Sequence, residues 1–339
     1  MGYYIKRLCA MSFAAFFSTA KKIARENRKL SVTILLDMMW CSLRYGAGYG
    51  DYAHFNFIAL KAKQRRTFLT RKSNNKIVRR LNNLQDMRLF SDKVAFNQLF
   101  TDFLGREWLD LTTTDAIGLR EFLVGKDKIV VKPPTGVSGI GVEVIEITPE
   151  TSVDDLYNTL RKSGQTLVEE YLVQHDDIMA IYPDCVNTMR VVTMLVADQV
   201  HIIRQLMKWG SGGVQVDNFT TEGGHGLVTI IGDDGTICTD AVNKAGKYFT
   251  HHPDSNVVFR GTHIPHADKL APMFEKAARI VPTVRYVAWD IAFAADGPVI
   301  IEGNEYPGYH NVQPRLYIDA HVSGVKPQYD NVLKLENKK

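Results

Sequence analysis

The 339-residue chain is 45% hydrophobic and 23% charged, a globular balance that excludes a disordered or low-complexity polymer. Its net charge of +4 hides an asymmetry: residues 1–93 hold 19 Lys/Arg against 5 Asp/Glu, and the rest hold 22 against 32. The basic N-terminal part suits an anionic partner (nucleic acid, a phospholipid surface or an acidic polysaccharide) or is a solvated helical face. Cys9, Cys41, Cys185 and Cys238 are scattered without CxxC or zinc spacing, which excludes a zinc module and favours reduced thiols of a cytosolic protein.

Residues 1–90 read as helical, with loop signals at GAGYG (46–50) and KSNN (72–75). LCAMSFAAFF (8–17) follows Lys6-Arg7 and is about ten residues long, too short to span a bilayer. With KKIAREN behind it, it reads as an uncleaved, packed or interfacial helix that could touch anionic lipid. Ser91 or Asp92 is a natural N-cap for the next helix. From Lys128 the pattern changes. KIVVKPP and GVEVIEI are strands joined by TGVSGIG, and SVDDLYNTLRKS is a capped amphipathic helix. TLVEEYL is a strand, and NTMRVVTMLVADQVHIIRQLMKW is two strands about Ala-Asp-Gln. GLVTIIGDDGTICT is a hairpin about Asp-Asp-Gly, HADKLAPMFEKAARIV a helix, and WDIAFAADGPVIIEGNEYPG a last hairpin. Hairpins mixed with helices point to α+β layers rather than a doubly wound parallel sheet.

Four stretches break their own patterns. In VVKPPTGVSGIGV, glycines 136, 139 and 141 would let backbone N–H groups reach phosphate oxygens, Ser138 adds a hydroxyl, and Lys132 supplies a point charge. In LVEEYL, Glu169 and Glu170 must face opposite sides of a strand. In NTMRVVT, Arg190 sits among apolar residues, where a cation needs an anionic partner. In the last hairpin, Glu302 and Asn304 share a face. A two-residue Asp296-Gly297 turn would set Asp290 against Gly303. A three-residue Ala295–Gly297 loop would set it against Glu302, and only this second register converges three hard oxygen ligands suited to Mg²⁺ or Mn²⁺.

A phosphate lysine with a glycine loop, a paired-acid hinge, an internal arginine, then Asp and Glu-x-Asn, in that order, resembles the ATP-grasp superfamily. Within it the chain is most similar to the sugar-transfer-associated ATP-grasp family, through GYGDYAHFNFIAL, VNTMRVVT, VDNF…GGHG, HHPDSNVVFRGTHIP and IIEGNEYPG, roughly residues 45–315. The resemblance implies an α+β fold of two lobes holding ATP between antiparallel sheets. A helical, basic region (1–90) would replace the usual Rossmann-like pre-domain. The N-lobe would be 91–175 with glycine loop and adenine hinge, the C-lobe 176–330 with the metal site, and 331–339 a tail. Lys93 and Lys132 would be phosphate lysines, with Gly136, Ser138 and Gly139 in the loop. Glu169, Glu170 and Leu172 would form the hinge, and Asp176 would meet the ribose. Asp290, Glu302 and Asn304 would hold two Mg²⁺ (or Mn²⁺), and Arg190 would stabilise the transferring phosphoryl group. Lys208 stands where related ligases often carry arginine. Asn218 and Gly223-Gly224 would line the substrate side, and His225 and His310 are candidate bases near the acceptor, although a lone histidine is more often structural.

The implied chemistry is a carboxylate–amine ligase forming an acyl phosphate, acting on a surface-polysaccharide unit or another acidic small molecule. The alternatives are a kinase phosphorylating a sugar or other hydroxyl, and a scaffold without turnover. A cytoplasmic location is expected, with peripheral contact at the inner membrane face as an option. The expected partners are ATP, a carboxylate and an amine. No specific nucleic acid is expected.

Overall fold

The computed structural model describes residues 12–136, 140–214, 217, 225–310, 312–313 and 323–336. The chain divides into two compact units, one of residues 1–80 with 308–334 and one of 81–307 with 335–339. Residues 308–330, read from the sequence as the end of the C-lobe, and 331–334, read as tail, group with residues 1–80.

The first unit is helical: α1 (Phe13–Glu26), α2 (Ser31–Tyr45), α3 (Tyr49–His54), α4 (Ala62–Arg65) and α5 (Arg71–Leu81). Ser12 caps α1 by accepting from the Ala15 N–H. Gly46 ends α2 at φ 71°, and a Cβ there would stand 2.7 Å from Lys72. KSNN is not a loop but the start of α5. Its turn-forming side chains act as caps, since Ser73 accepts from the Thr70 N–H. The core is aromatic, with Phe55, Phe57 and Phe68 fully buried. Gln313 brings the C-terminal segment back, accepting from the Leu69 N–H and donating to its carbonyl. A last helix, Lys326–Leu335, folds around the buried Tyr329 and takes in residues 331–335 of the expected tail.

The second unit opens with short helices α6 (Arg88–Ser91), α7 (Lys93–Leu99) and α8 (Thr101–Leu104). Asp92 caps α7, accepting from the Val94 and Ala95 N–H groups. A four-stranded sheet follows, of β1 (Trp108–Asp110), β2 (Lys128–Lys132), β3 (Glu143–Glu146) and β4 (Leu167–Glu170) in the order β1-β4-β2-β3. Helices α9 (Ala116–Phe122) and α10 (Val153–Ser163) cover it through Leu119, Leu123 and Leu160 against Ile129, Val131 and Val168.

A seven-stranded sheet completes this unit. Its strands are β5 (Met189–Val196), β6 (Gln199–Trp209), β7 (Leu227–Ile230), β8 (Ala241–Asn243), β9 (Tyr248–Phe249), β10 (Tyr286–Ala294) and β11 (Gly297–Asn304). The order is β11-β10-β5-β6-β7-β8-β9, and every pairing is antiparallel. The β5–β6 turn is two residues, Ala197 and Asp198, both at positive φ (54° and 63°), the backbone a tight hairpin needs. The GLVTIIGDDGTICT hairpin is only half present. Its first arm is β7, but the second reduces to the single bridge Ile231↔Ile237. The outer edge of that arm pairs elsewhere, the Ile237 N–H donating to the Thr262 carbonyl and Thr236 bridging to His263. Trp209, Phe259, Phe274, Trp289, Ile291 and Ile300 pack the core on one face of the sheet, against helices that include α12 (Leu270–Ala277).

Candidate functional site

Asp290 and Glu302 do stand opposite each other on β10 and β11, but the turn is neither of the two expected. Ala294 pairs with Gly297, leaving a two-residue Ala295-Asp296 turn, and the register shifts between Asp290 and Ile291. Ile300 faces Ile291 and Glu302 faces Asp290, so Ile301 is the extra residue of a β-bulge. Arg106 accompanies the bulge by donating to the Ile300 carbonyl at 2.9 Å and the Ile301 carbonyl at 3.4 Å.

The same arginine belongs to a buried charge cluster. Glu169 accepts from Arg106 Nε (2.8 Å) and Asn97 Nδ2 (2.8 Å) and pairs with Lys132 Nζ (2.7 Å). The three charged side chains are 3–9% exposed. Burial alone would raise the Glu169 carboxyl; Lys132 and Arg106 overcome it and hold the group at about 2. Burial lowers the Lys132 ammonium despite Glu169. Paired acids were legible in LVEEYL, but not that one would be committed to a lysine and an arginine. Glu170 is separate, accepting from the Glu107 N–H.

On the larger sheet Arg190 and Asp290 form a two-bond pair, Nε–Oδ1 at 2.7 Å and Nη2–Oδ2 at 2.5 Å. Lys208 Nζ is 3.5 Å from Asp290 and 3.7 Å from Asp217. Burial opposes the Asp290 charge, but Arg190 and Lys208 hold its carboxyl well below the usual range. Glu302 is pushed the other way, by burial and then by the Asp290 charge, with a hydrogen bond between the two acids. Asn304 donates to Glu302 and to the Ala288 carbonyl, each at 3.3 Å. Asp217 escaped the sequence reading, although it lies in the VDNF stretch. It accepts from the Thr188 N–H and hydroxyl at 2.6 Å, and burial raises its carboxyl.

The remaining candidates divide. Lys93 opens α7 and donates to the Gly136 carbonyl at 2.9 Å, while its own N–H donates to Pro134; burial lowers its ammonium although Glu302 and Glu169 favour the charge. Leu172 packs with Ala292 and Val299. Asp176 is the first residue of the short helix α11 (Asp176–Met179). His310 belongs to the other unit, 3.2 Å from the buried Asp51, which also binds the Tyr309 hydroxyl at 2.5 Å. Ser138, Gly139, Asn218, Gly223 and Gly224 lie outside the described residues. Among the described residues no three His, Cys, Asp or Glu groups form a metal cluster. The expected trio has two acids and an amide.

No curated protein matches the chain. Among solved structures it is similar to the ATP-grasp ligase PsnB complexed with minimal precursor, at 15% identity and a TM-score of 0.43, over 75% of this chain and 64% of that one. It is also similar to D-alanine–D-alanine ligase from Bacillus anthracis complexed with ATP, at 12% identity and a TM-score of 0.46, over 76% of this chain and 69% of that one. A third likeness is the VanG D-Ala:D-Ser ligase from Enterococcus faecalis, at 12% identity and a TM-score of 0.45, over 73% and 62%. The chain therefore spans less than two thirds of the length of PsnB and VanG. The sugar-transfer associated ATP-grasp model matches residues 72–314, and the chain belongs to that family.

Proposed function

We propose that the second unit is an ATP- and Mg²⁺-dependent ligase that joins a carboxylate to an amine through an acyl phosphate. The observation that carries this reading is the convergence of charge on Glu302. Arg190 and Lys208 lie 2.5 and 3.5 Å from Asp290, which faces it across β10 and β11, while Lys132 pairs with Glu169 at 2.7 Å and Lys93 reaches the Gly136 carbonyl at 2.9 Å. Four cations around two acids suit a polyphosphate, whose binding and transfer need charge neutralised in a dry, preorganised site.

The hairpin face adds a polarity that fits a nucleotide. Ala292 and Val299 lie beside Leu172 as a small apolar patch, and Asp290 and Glu302 follow on the same face of the ladder. A base would rest on the apolar end and the phosphates would reach the charged end. Asp290, Glu302 and the Asn304 amide fit a hard divalent cation, because a cation would offset the burial and the Asp290 charge that together raise the Glu302 carboxyl. Mg²⁺ bound there would neutralise phosphate charge and orient the transferring group. Lys93 and Lys132 would hold phosphate oxygens. Arg190, fixed by Asp290, would stabilise charge on the phosphoryl group in flight, with Lys208 beside it. Glu169 keeps the Lys132 ammonium in place.

The family description, sugar-transfer associated, favours an acidic saccharide as the carboxylate. Product analysis tests the reading: purified protein, ATP and Mg²⁺ with panels of uronic acids and amino acids should release ADP and yield an amide. A phosphate ester as product would assign the chain to kinases instead, and ADP release that no acid or amine stimulates would refute the ligase reading.

A further inference from the structure

The helical unit carries two features that the nucleotide chemistry does not use. The first is an apolar stripe on α2. Val32, Leu36, Met39, Trp40 and Leu43 recur at helical spacing, and each is 54–62% exposed. Leu30, at the start of that helix, is 72% exposed, and on α1 Phe13 and Phe17, one turn apart, are 54% and 48% exposed. Buried Ile34, Met38 and Cys41 occupy the other side of α2, so the stripe is a second apolar face, not a misplaced core.

The second feature is a cavity of about 310 Å³ at the C-terminal end of the same helix, lined by Arg44, Tyr45, Arg65, Arg66, Phe68 and Lys326. Two of its four cations are neutralised within the unit. Arg65 binds both Asp37 oxygens, at 2.7 and 2.8 Å, and Lys326 pairs with Asp330. The side chains of Arg44 and Arg66 have no ion-pair or hydrogen-bond partner among the described residues. The lining thus carries two uncompensated positive charges beside aromatic walls, the complement of a phosphate group. Arg44 directly follows Leu43, the last residue of the stripe, and lies on the stripe's flank.

We propose that this unit docks on an anionic lipid bilayer, with the α2 stripe entering the acyl boundary and the Arg44–Arg66 cavity holding a lipid phosphate. An exposed apolar stripe flanked by cations is the pattern of an interfacial helix. Charge selects the occupant. With 17 Lys/Arg against 3 Asp/Glu in residues 1–80, a second copy of this unit would meet like charge, whereas an anionic leaflet attracts it. Among the described residues no helix is long and apolar enough to cross the membrane, so the contact would be peripheral.

Vesicle sedimentation tests this with the full chain. Vesicles of phosphatidylcholine with about a third phosphatidylglycerol should bind it at low salt, and pure phosphatidylcholine should bind it far more weakly. Trp40, exposed where Trp209 and Trp289 are buried, should blue-shift on binding, and Trp40→Phe should remove the shift. Leu36→Glu, at an exposed site that leaves the fold intact, should abolish binding. Arg44→Ala with Arg66→Ala should weaken it roughly thirtyfold, at about fivefold per basic residue. The proposal is overturned by the absence of binding to anionic vesicles, or by binding that both variants leave unchanged. A concentration-dependent dimer abolished by Leu36→Glu would assign the stripe to a second copy. Binding of glucose 6-phosphate as tight as that of vesicles, with ADP saturating any nucleotide site and lost in the double variant, would assign the cavity to a soluble ligand.

Discussion

Replacing Glu169 by glutamine keeps the shape of the buried cluster and removes its charge. The two cations it serves are almost inaccessible, Lys132 at 9% and Arg106 at 3% side-chain exposure. Leaving buried cations without their counter-charge costs about 3–5 kcal/mol. The depression of the Glu169 carboxyl from 4.5 to about 2 gives an independent figure of roughly 3 kcal/mol. Burial already lowers the Lys132 ammonium, so this lysine can shed its proton in the variant and cap the loss near the lower end. Because the folded-state pKa is depressed, the stabilisation is complete above pH 4.5 and fades as pH falls toward 2. Urea unfolding followed by tryptophan fluorescence suits the purpose, since Trp209 and Trp289 are both fully buried in this unit. Glu169→Gln should lose about 3 kcal/mol at pH 7, and the gap from the parent should narrow between pH 5 and pH 3. A loss under about 1 kcal/mol, or a gap that does not change with pH, would show that the cluster does not act as an ion pair.

Glu302→Gln removes the like charge facing Asp290, so the free protein should gain roughly 0.5–2 kcal/mol, while Mg²⁺-dependent ATP turnover disappears; thermal melts with and without Mg²⁺ and an ADP-release assay read both effects. Gly303→Ala would place a Cβ 2.8 Å from Phe90 and Phe96, an overpacking that should cost about 1–3 kcal/mol in urea denaturation. In the helical unit, Asp51 accepts from Tyr309, His310 and the Gly48 and Arg71 N–H groups, which overcome burial to hold its carboxyl below the ordinary 3.8. Asp51→Asn should destabilise by about 1–3 kcal/mol at neutral pH, and in acid-melt experiments the difference should begin to shrink only below pH 3.8 and fade as pH falls through the lower folded-state pKa.

Local signals carried the fold far. Strands read from KIVVK, LVEE, MRVVT and VIIE are all present, and the Asp-capped and Ser-capped helices start where their caps stand. KSNN failed because cap residues and turn residues are chemically the same, and only the fold decides which role Ser73 takes. The facing of Asp290 and Glu302 was one of two registers the sequence left open, and its means lay in neither: a bulge carries no residue signature here, and Arg106, 195 positions before Ile301 in the chain, is invisible to any short window. Arg190 was expected to need an anion, and within this chain Asp290 answers that need. His310 could not be placed from its neighbourhood in sequence, because its partner Asp51 is 259 residues away.

The bulge at Ile301 also settles a matter of parity. Val299 and Glu302 are three apart, an odd separation that a regular strand sends to opposite sides. One supernumerary residue makes the count even, and a nonpolar contact and an acid come to share one surface. The Ala295-Asp296 turn lies on the far side of the bulge from the acid and has its own supports, its carbonyls meeting His266 and Lys269. The inner half takes its alignment from Asp290 against Arg190 on the neighbouring strand. Chains of this kind should hold the spacing from the bulge to Asn304 fixed.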